Sequence, residues 1–126
     1  MSYRELETTT SVDFSKLKST EQGEALVPAI IVDRAGLAMG EIACIRMVGF
    51  MNQPALEETR NTGLVTFYTR TKGELWRKGE SSGNVLNVDK IYVDCDNDTL
   101  LITVDAVGPT CHTGAESCFE EENDTI

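Results

Sequence analysis

The sequence predicts an α+β domain in which a β-dominated sheet carries one main helix. Five runs rich in β-branched and other apolar residues predict strands, and one stretch flanked by capping residues predicts the helix. The chain has 126 residues, 40% of them hydrophobic. A single domain of this size can bury its own core without disulfides, and the composition excludes wholesale disorder.

The strands are predicted from apolar runs bounded by glycine and polar residues. A polar N-terminal segment, residues 1–24, comes first, with a short helix expected around residues 13–18. The predicted strands are residues 27–33, 42–50, 65–71, 85–93 and 100–107. The glycine-containing loop between the first two predicts a hairpin.

The helix is predicted from its ends. Asn52 can cap it, Pro54 lies in its first turn, Leu56 marks its apolar face and Gly63 ends it. Residues 108–119 predict a loop or a short helix. The folded domain is therefore expected at residues 25–119, followed by an acidic tail at residues 120–126.

Charge limits the partners that this chain can bind. Eleven basic and 21 acidic residues give a net charge of −10, which disfavours nucleic acid and anionic membranes. The N-terminus lacks the pattern of a secretory signal, and no run approaches the ~20 apolar residues of a membrane helix. We expect a soluble cytoplasmic protein, whose four cysteines serve as thiols or metal ligands.

Three acidic residues alternate along the chain at Asp94, Asp96 and Asp98. On an extended strand they would share one face, and Cys95 would point to the other. A hard cation such as Mg²⁺ would relieve their mutual repulsion; a solvated acidic turn is the alternative. An EF-hand is excluded because Thr99 stands where its loop needs glycine.

Three thiols and the only histidine lie in the C-terminal third: Cys95, Cys111, His112 and Cys118. The Cys111–Cys118 spacing is too wide for a zinc-ribbon pair. Three thiolates can nevertheless hold Zn²⁺ and leave a fourth position for water. Buried structural thiols are the alternative, and we expect Cys44 to be one, in the core.

A basic cluster interrupts the acidic sequence at Arg70, Lys72, Arg77 and Lys78. Nearby glycines would let backbone N–H groups approach an anion that these side chains bind. A solvated surface hairpin is the alternative. Trp76, within the same segment, is expected to anchor the core rather than to stack on a purine.

Four runs of sequence carry a resemblance to a known family. They are VGFMNQPALEET, LWRKGESSGN, VDCDNDTLL and GPTCHTGAESCF. In this order they resemble the phosphoribosyl-AMP cyclohydrolases of histidine biosynthesis, over roughly residues 26–119. The family usually has Ser-Arg-Ser-Arg where this chain has Thr-Arg-Thr-Lys at residues 69–72. With no pyrophosphohydrolase region following, the resemblance is to the monofunctional form.

The resemblance implies a reaction and the residues that serve it. The reaction is hydrolytic opening of the N1–C6 bond of phosphoribosyl-AMP, the third step of histidine biosynthesis, by water that zinc activates. Zn²⁺ would be held by Cys111 and Cys118 together with Cys95 of a partner subunit, which implies an obligate homodimer. The implied Mg²⁺ ligands are Asp94, Asp96 and Asp98.

His112 would move protons or, alternatively, support Cys111. The substrate carries two phosphates, which the basic cluster and the Mg²⁺ site would share. The candidate contacts to substrate and phosphate are Arg70, Lys72, Arg77, Lys78, Glu80, Ser82 and Gly83.

Two other functions use the same thiols. A non-catalytic zinc-binding module would need a closed site, with His112 or Cys44 as the fourth ligand. A hydrolase of another purine nucleotide would share the zinc chemistry and differ only in its substrate.

Overall fold

The computed structural model describes residues 3–20, 23–35, 45–111 and 113–119. Within these ranges most of the regular elements are strands, accompanied by one α-helix of ten residues and two short 3-10 turns, which confirms the α+β prediction. None of its described helices is long and apolar enough to cross a membrane. The elements are β1 (Val27–Asp33), β2 (Ile45–Met51), α1 (Gln53–Thr62), β3 (Thr66–Thr69), β4 (Glu74–Arg77), β5 (Leu86–Val93) and β6 (Leu100–Ala106).

Four of the strands form one sheet in the order β2-β1-β6-β5. The strand β1 runs antiparallel to β2 and parallel to β6, and β5 runs antiparallel to β6. In β1, Val27, Ala29 and Ile31 are fully buried and face the core, as strand alternation requires. The pairing of β1 with β2 confirms the predicted hairpin, and its loop, with Cys44, lies outside the described residues.

The core lies between this sheet and a second layer, formed by α1 and the β3–β4 hairpin. The two layers approach so closely that a Cβ on Gly49 would lie 2.4 Å from the Phe67 ring. A side chain at that position of β2 would therefore push the layers apart.

The predicted helix ends are confirmed. The Asn52 side chain accepts a hydrogen bond from the Ala55 N–H at 2.9 Å, and Gly63 ends α1 in the left-handed conformation with φ 75°. Leu56 is fully buried on the inner face of the helix. This cap is typical of helix N-termini, where backbone N–H groups lack partners within the helix.

Other boundaries differ from the sequence predictions. The strand predicted at residues 65–71 is shorter, because the chain turns after Thr69 into a hairpin. The glycine-rich segment that follows contains β4, which we did not predict. The helix expected around residues 13–18 is a single 3-10 turn, Phe14–Lys16.

Candidate active site

The three aspartates lie in the turn that joins β5 to β6. The Asp94 carboxylate accepts hydrogen bonds from the N–H groups of Asp98 and Thr99, at 3.0 and 3.1 Å, and Asn97 is left-handed with φ 63°. Carboxylate oxygens of Asp94, Asp96 and Asp98 lie within 4.8 Å of one another. The predicted grouping is therefore present, but the strand argument for it is wrong, because a turn and not strand alternation brings the carboxylates together.

The turn gives these carboxyl groups unequal acidity. Burial would raise the pKa of Asp94, but the hydrogen bonds from Asp98, Asp96 and Thr99 lower it overall. Burial and the neighbouring Asp96 and Asp94 raise the pKa of Asp98. Three oxygen donors at this spacing fit a hard divalent cation, which would favour the ionised form of all three.

At the far end of β6, the loop around Cys111 and Cys118 brings two thiols side by side. The Cys111 N–H donates to the Ala115 carbonyl at 3.1 Å, and the Gly114 N–H donates to the Cys111 carbonyl at 3.0 Å, so the chain folds back on itself. The side chains of Cys111 and Cys118 then lie close enough for each to shift the pKa of the other. We call residues 110–118 the thiol loop.

The two thiols of this loop differ in acidity. The Thr113 hydroxyl donates to the Cys111 sulfur at 3.1 Å, and this bond is the main reason that the pKa of Cys111 is lowered. Partial loss of water around its sulfur, and then the negative charge on Cys111, raise the pKa of Cys118, against the charge of Lys78. Cys111 therefore ionises first. Paired sulfur donors of this kind are the ligands that zinc prefers.

Cys95 lies far from the other two thiols. It precedes β6, whereas Cys111 follows it, and the seven residues of β6 alone span about 20 Å. Among the described residues, the aspartates are the only group of three whose ligand atoms approach closely enough to hold a metal ion. A single chain thus brings together two of the three predicted zinc thiols.

A cleft of about 450 Å³ opens beside Cys111. Lys78, Glu80 and Ser82 line it, and the Lys78 ammonium lies 5.1 Å from the centre of the Trp76 ring. The neighbouring Gly83 is exposed, with φ 81°. The structure therefore places three of the predicted substrate contacts next to the thiol loop.

Two glycines pack closely against Asn84, which lines this cleft. A Cβ on Gly79 would lie 2.4 Å from the Asn84 backbone, and one on Gly108 would lie 2.6 Å from the Asn84 side chain. Both glycines also have positive φ, at 84° and 70°. This packing joins the glycine-rich loop to the segment that leads into Cys111.

The four side chains of the basic cluster do not lie together in the structure. The Arg70 guanidinium lies 4.5 Å above the Phe50 ring, whereas Lys78 lines the cleft by Cys111. Arg77 points to the opposite face of β4 from Trp76, because successive side chains of a strand alternate. Lys72 is exposed in the hairpin turn.

Trp76 is half-buried. Its ring lies 6.2 Å from that of Phe67 and packs against the core, as we predicted. Part of the ring also lines the cleft beside Cys111. Both of the roles considered for this residue are therefore compatible with its position.

Sequence reasoning missed two threonines of the thiol loop. Thr113 hydrogen-bonds Cys111, and Thr110, only 3% exposed, lines the cleft with a hydroxyl that has no hydrogen-bond partner among the described residues. Their positions next to Cys111 were the only available clue. His112 lies outside the described residues, so its predicted role stays a prediction.

Comparison with known proteins gives consistent matches. A family model described as phosphoribosyl-AMP cyclohydrolase matches residues 47–120. The histidine biosynthesis bifunctional protein HisIE of Bacteroides thetaiotaomicron is 50% identical over 113 residues, covering 90% of this chain and 50% of that protein. The protein of the same name from Yersinia pestis is 56% identical over 99 residues, covering 79% and 46% respectively.

A third relative, the HisIE protein of Staphylococcus aureus strain COL, is 48% identical over 111 residues, or 88% of this chain and 46% of that protein. The chain therefore spans about half the length of the curated relatives it matches. The matched residues include the acidic turn, the cleft and the thiol loop. The chain belongs to the phosphoribosyl-AMP cyclohydrolase family, as its motifs predict.

Proposed function

We propose that this chain hydrolyses the N1–C6 bond of 1-(5-phosphoribosyl)-AMP, opening the purine ring in a step of histidine biosynthesis, in the cytoplasm. The observation that carries the proposal is the family match over residues 47–120, which contains every element of the site described above. The HisIE relatives are bifunctional by name and about twice as long. The proposal therefore concerns the cyclohydrolase activity alone.

The thiols are proposed to hold zinc. Cys111 and Cys118 would supply two sulfurs and Cys95 of a second copy the third, leaving a position for water. Zinc, when bound, lowers the pKa of a coordinated water to about 7 and so supplies a nucleophile at neutral pH. Thr113 and Lys78 favour the ionised form of Cys111, which is the form that binds a metal.

Proton transfer is the role proposed for His112. An imidazole titrates near neutral pH, and the neighbouring Cys111 would place it close to the reacting ring. It would take a proton from the attacking water and deliver one to N1 as the bond to C6 breaks. Support of Cys111 is the alternative role for this side chain.

Substrate binding must overcome the acidity of the chain. The substrate has two phosphates and the chain has a net charge of −10, so binding needs local positive charge. Lys78 in the cleft would supply part of it, and Mg²⁺ on the aspartates of the second copy, which flank the Cys95 that this copy contributes, would supply more. Arg70, over the Phe50 ring, lies outside this cleft and is proposed as a further phosphate contact. Glu80 and Ser82 line the same cleft and are proposed to contact the ribose or phosphate groups.

A homodimer is proposed because the described part of one chain brings together only two of the three predicted zinc thiols. An apolar row crosses the outer face of the sheet through Val48, Ile30, Leu101 and Tyr92, which are cross-strand neighbours. Val48 is 44% exposed. Cys95 lines a cleft of about 390 Å³ together with Ile30, Leu101 and Tyr92 of this row. A second copy packed on the row would bury it and receive this thiol.

Incubation with phosphoribosyl-AMP tests the activity directly. We expect loss of the purine absorbance, abolished by a chelator and restored by Zn²⁺. Cys111→Ser should reduce turnover to background, and Cys44→Ser, which alters the thiol predicted to be in the core, is the matched control. A fully active Cys111→Ser chain would refute the zinc proposal, and turnover of AMP instead of phosphoribosyl-AMP would reassign the substrate.

A further inference from the structure

Arg46 is a charged residue inside a strand of the main sheet. It is only 8% exposed, in the middle of the sequence Cys-Ile-Arg-Met. A buried guanidinium is costly unless its N–H groups are paired. The Nη2 group of the guanidinium donates to the Asp33 carboxylate at 2.5 Å, and its Nη1 group donates to the backbone carbonyl of Glu116 at 2.6 Å. Arg46 therefore connects the sheet to the thiol loop.

Both arms of the thiol loop are attached through this residue. The Cys118 N–H donates to the Arg46 carbonyl at 2.7 Å. The Glu116 carbonyl that accepts from the guanidinium also accepts from the Thr110 N–H, at 3.1 Å. One residue of β2 thus holds the chain on either side of the two thiols, next to Cys111 through Thr110 and at Cys118 directly.

Ser117 strengthens the same attachment. It is 1% exposed, and its hydroxyl donates to the carbonyls of Ile45 and Arg46. Cys118, in contrast, is exposed, and Thr113 and Gly114 at the tip of the loop are exposed as well. The loop therefore derives its position from hydrogen bonds to β2 rather than from burial of its own tip.

We propose that Arg46 is a positioning residue that fixes the spacing of Cys111 and Cys118. Metal ligands must be held to within about 0.5 Å by groups whose own conformations are locked. The Asp33 carboxylate restrains the guanidinium, the guanidinium restrains Glu116, and Glu116 restrains the arm that carries Thr110 and Cys111. The inference rests on the proposed function only in taking zinc as the ion that the thiols bind.

Three variants separate positioning from stability. Arg46→Met removes the charge and the two NH₂ groups that donate to Asp33 and Glu116. Arg46→Lys keeps a charge for Asp33 but cannot donate to two groups through a planar fork. Arg46→Met combined with Asp33→Asn removes both charges, and such neutral replacements of buried ion pairs are often tolerated. Arg60→Met is the matched control, since Arg60 also donates to a backbone carbonyl, that of Glu7, away from the loop.

Two readouts are independent of turnover. The first is the zinc dissociation constant of the full chain, measured by competition with a chromogenic chelator. The second is capture of a trivalent arsenical by the metal-free chain, which requires two thiols held side by side. The melting temperature, kcat and KM are measured in parallel.

We expect Arg46→Met and the double variant to bind zinc about 10–100-fold more weakly, as is usual when a group that orients a metal ligand is removed. Arsenical capture should fall with zinc affinity. The double variant should regain melting temperature without regaining zinc affinity or arsenical capture. Arg46→Lys should be intermediate in both properties, and Arg60→Met should match the wild type. At saturating zinc, KM should stay within about twofold because substrate contacts are intact.

Wild-type zinc affinity and arsenical capture in the double variant would overturn the inference, whatever its effect on stability. If Arg46→Met does not fold, Arg46→Lys and the double variant decide. A wild-type chain that is inactive on phosphoribosyl-AMP, but whose zinc affinity or arsenical capture depends on Arg46, would refute the proposed function and support the inference. If the wild type is active on phosphoribosyl-AMP, but zinc affinity and arsenical capture do not depend on Arg46, the proposed function is supported and the inference is refuted.

Discussion

The acidic turn and the thiol loop stand at opposite ends of β6, and they are built in different ways. The acidic turn gathers three ligand groups through hydrogen bonds between residues four and five positions apart. The thiol loop gathers two, and it is held by Arg46, about seventy residues away in the sequence. One proposed metal site is thus complete within a local segment, whereas the other needs distant strands and, in our proposal, a second chain.

Mixing two inactive variants tests this contrast with the largest expected effect. Cys95→Ser and Cys111→Ser chains should each be inactive alone. In a mixed dimer, one site combines intact Cys95 from one chain with intact Cys111 and Cys118 from the other. Random pairing should restore about a quarter of wild-type turnover, since half of the dimers are mixed and each has one good site.

The control for this experiment is a mixture of Cys111→Ser with Cys118→Ser chains. Both changes lie in the thiol loop, so every proposed site carries at least one of them and no activity should return. Absence of recovery in the first mixture, with mixed dimers demonstrated by mass spectrometry, would show that each site is built within one chain.

Removal of one carboxylate tests the self-sufficient site. Asp96→Asn should raise the Mg²⁺ concentration for half-maximal turnover by about tenfold or more, because a charged oxygen ligand is lost. Asp105→Asn, on an exposed residue that pairs with Arg34, is the matched control and should leave it unchanged. The turnover of both variants is measured as a function of Mg²⁺ concentration. An Asp96→Asn chain with the same half-maximal Mg²⁺ concentration as the wild type would argue for a solvated acidic turn.

Acid should weaken Mg²⁺ binding at this turn. The pKa of Asp98 is raised, so a proton competes with the cation as the pH falls through that pKa. Above the pKa the affinity should be constant, and below it the affinity should fall by up to about tenfold per pH unit. Calorimetric titrations of the wild type should show this slope and those of Asp98→Asn should lose it; a flat wild-type profile would contradict the prediction.

The smallest expected effect concerns Thr113. Thr113→Val removes the hydroxyl that donates to the Cys111 sulfur, so the pKa of Cys111 should rise toward its ordinary value. Alkylation of Cys111 in the metal-free chain, followed by peptide mass spectrometry, should then require higher pH. Thr113→Ser keeps the donor and should behave like the wild type. Identical profiles for the valine variant and the wild type would exclude this role for the hydroxyl.

Local chemistry was predictable where neighbouring residues make the contact. Asn52 and Gly63 were expected to end α1, and they do so through a hydrogen bond within three residues and a left-handed backbone. The three aspartates were expected to cluster, although the reason given was wrong. Alternation on a strand and a turn closed by Asp94 both bring every second side chain together, so the spacing alone did not distinguish them.

Tertiary contacts of individual side chains were not predictable in this way. Arg70 and Lys78 are near in sequence, yet the turn after Thr69 and the alternation of β4 direct them to different surroundings. The sequence predicts only that Arg46 lies within an apolar strand, because no neighbouring residue indicates that Asp33 and Glu116 will contact it.

The sequence by itself determined the helix and its caps, the acidic grouping and, through its motifs, the family. Those properties depend on residues a few positions apart, where the backbone leaves few alternatives. Only the tertiary structure decided that Cys111 and Cys118 adjoin and that Arg46 holds their loop. The reason is that these relations follow from the strand order β2-β1-β6-β5, and the parallel pairing of β1 with β6 joins segments about seventy residues apart.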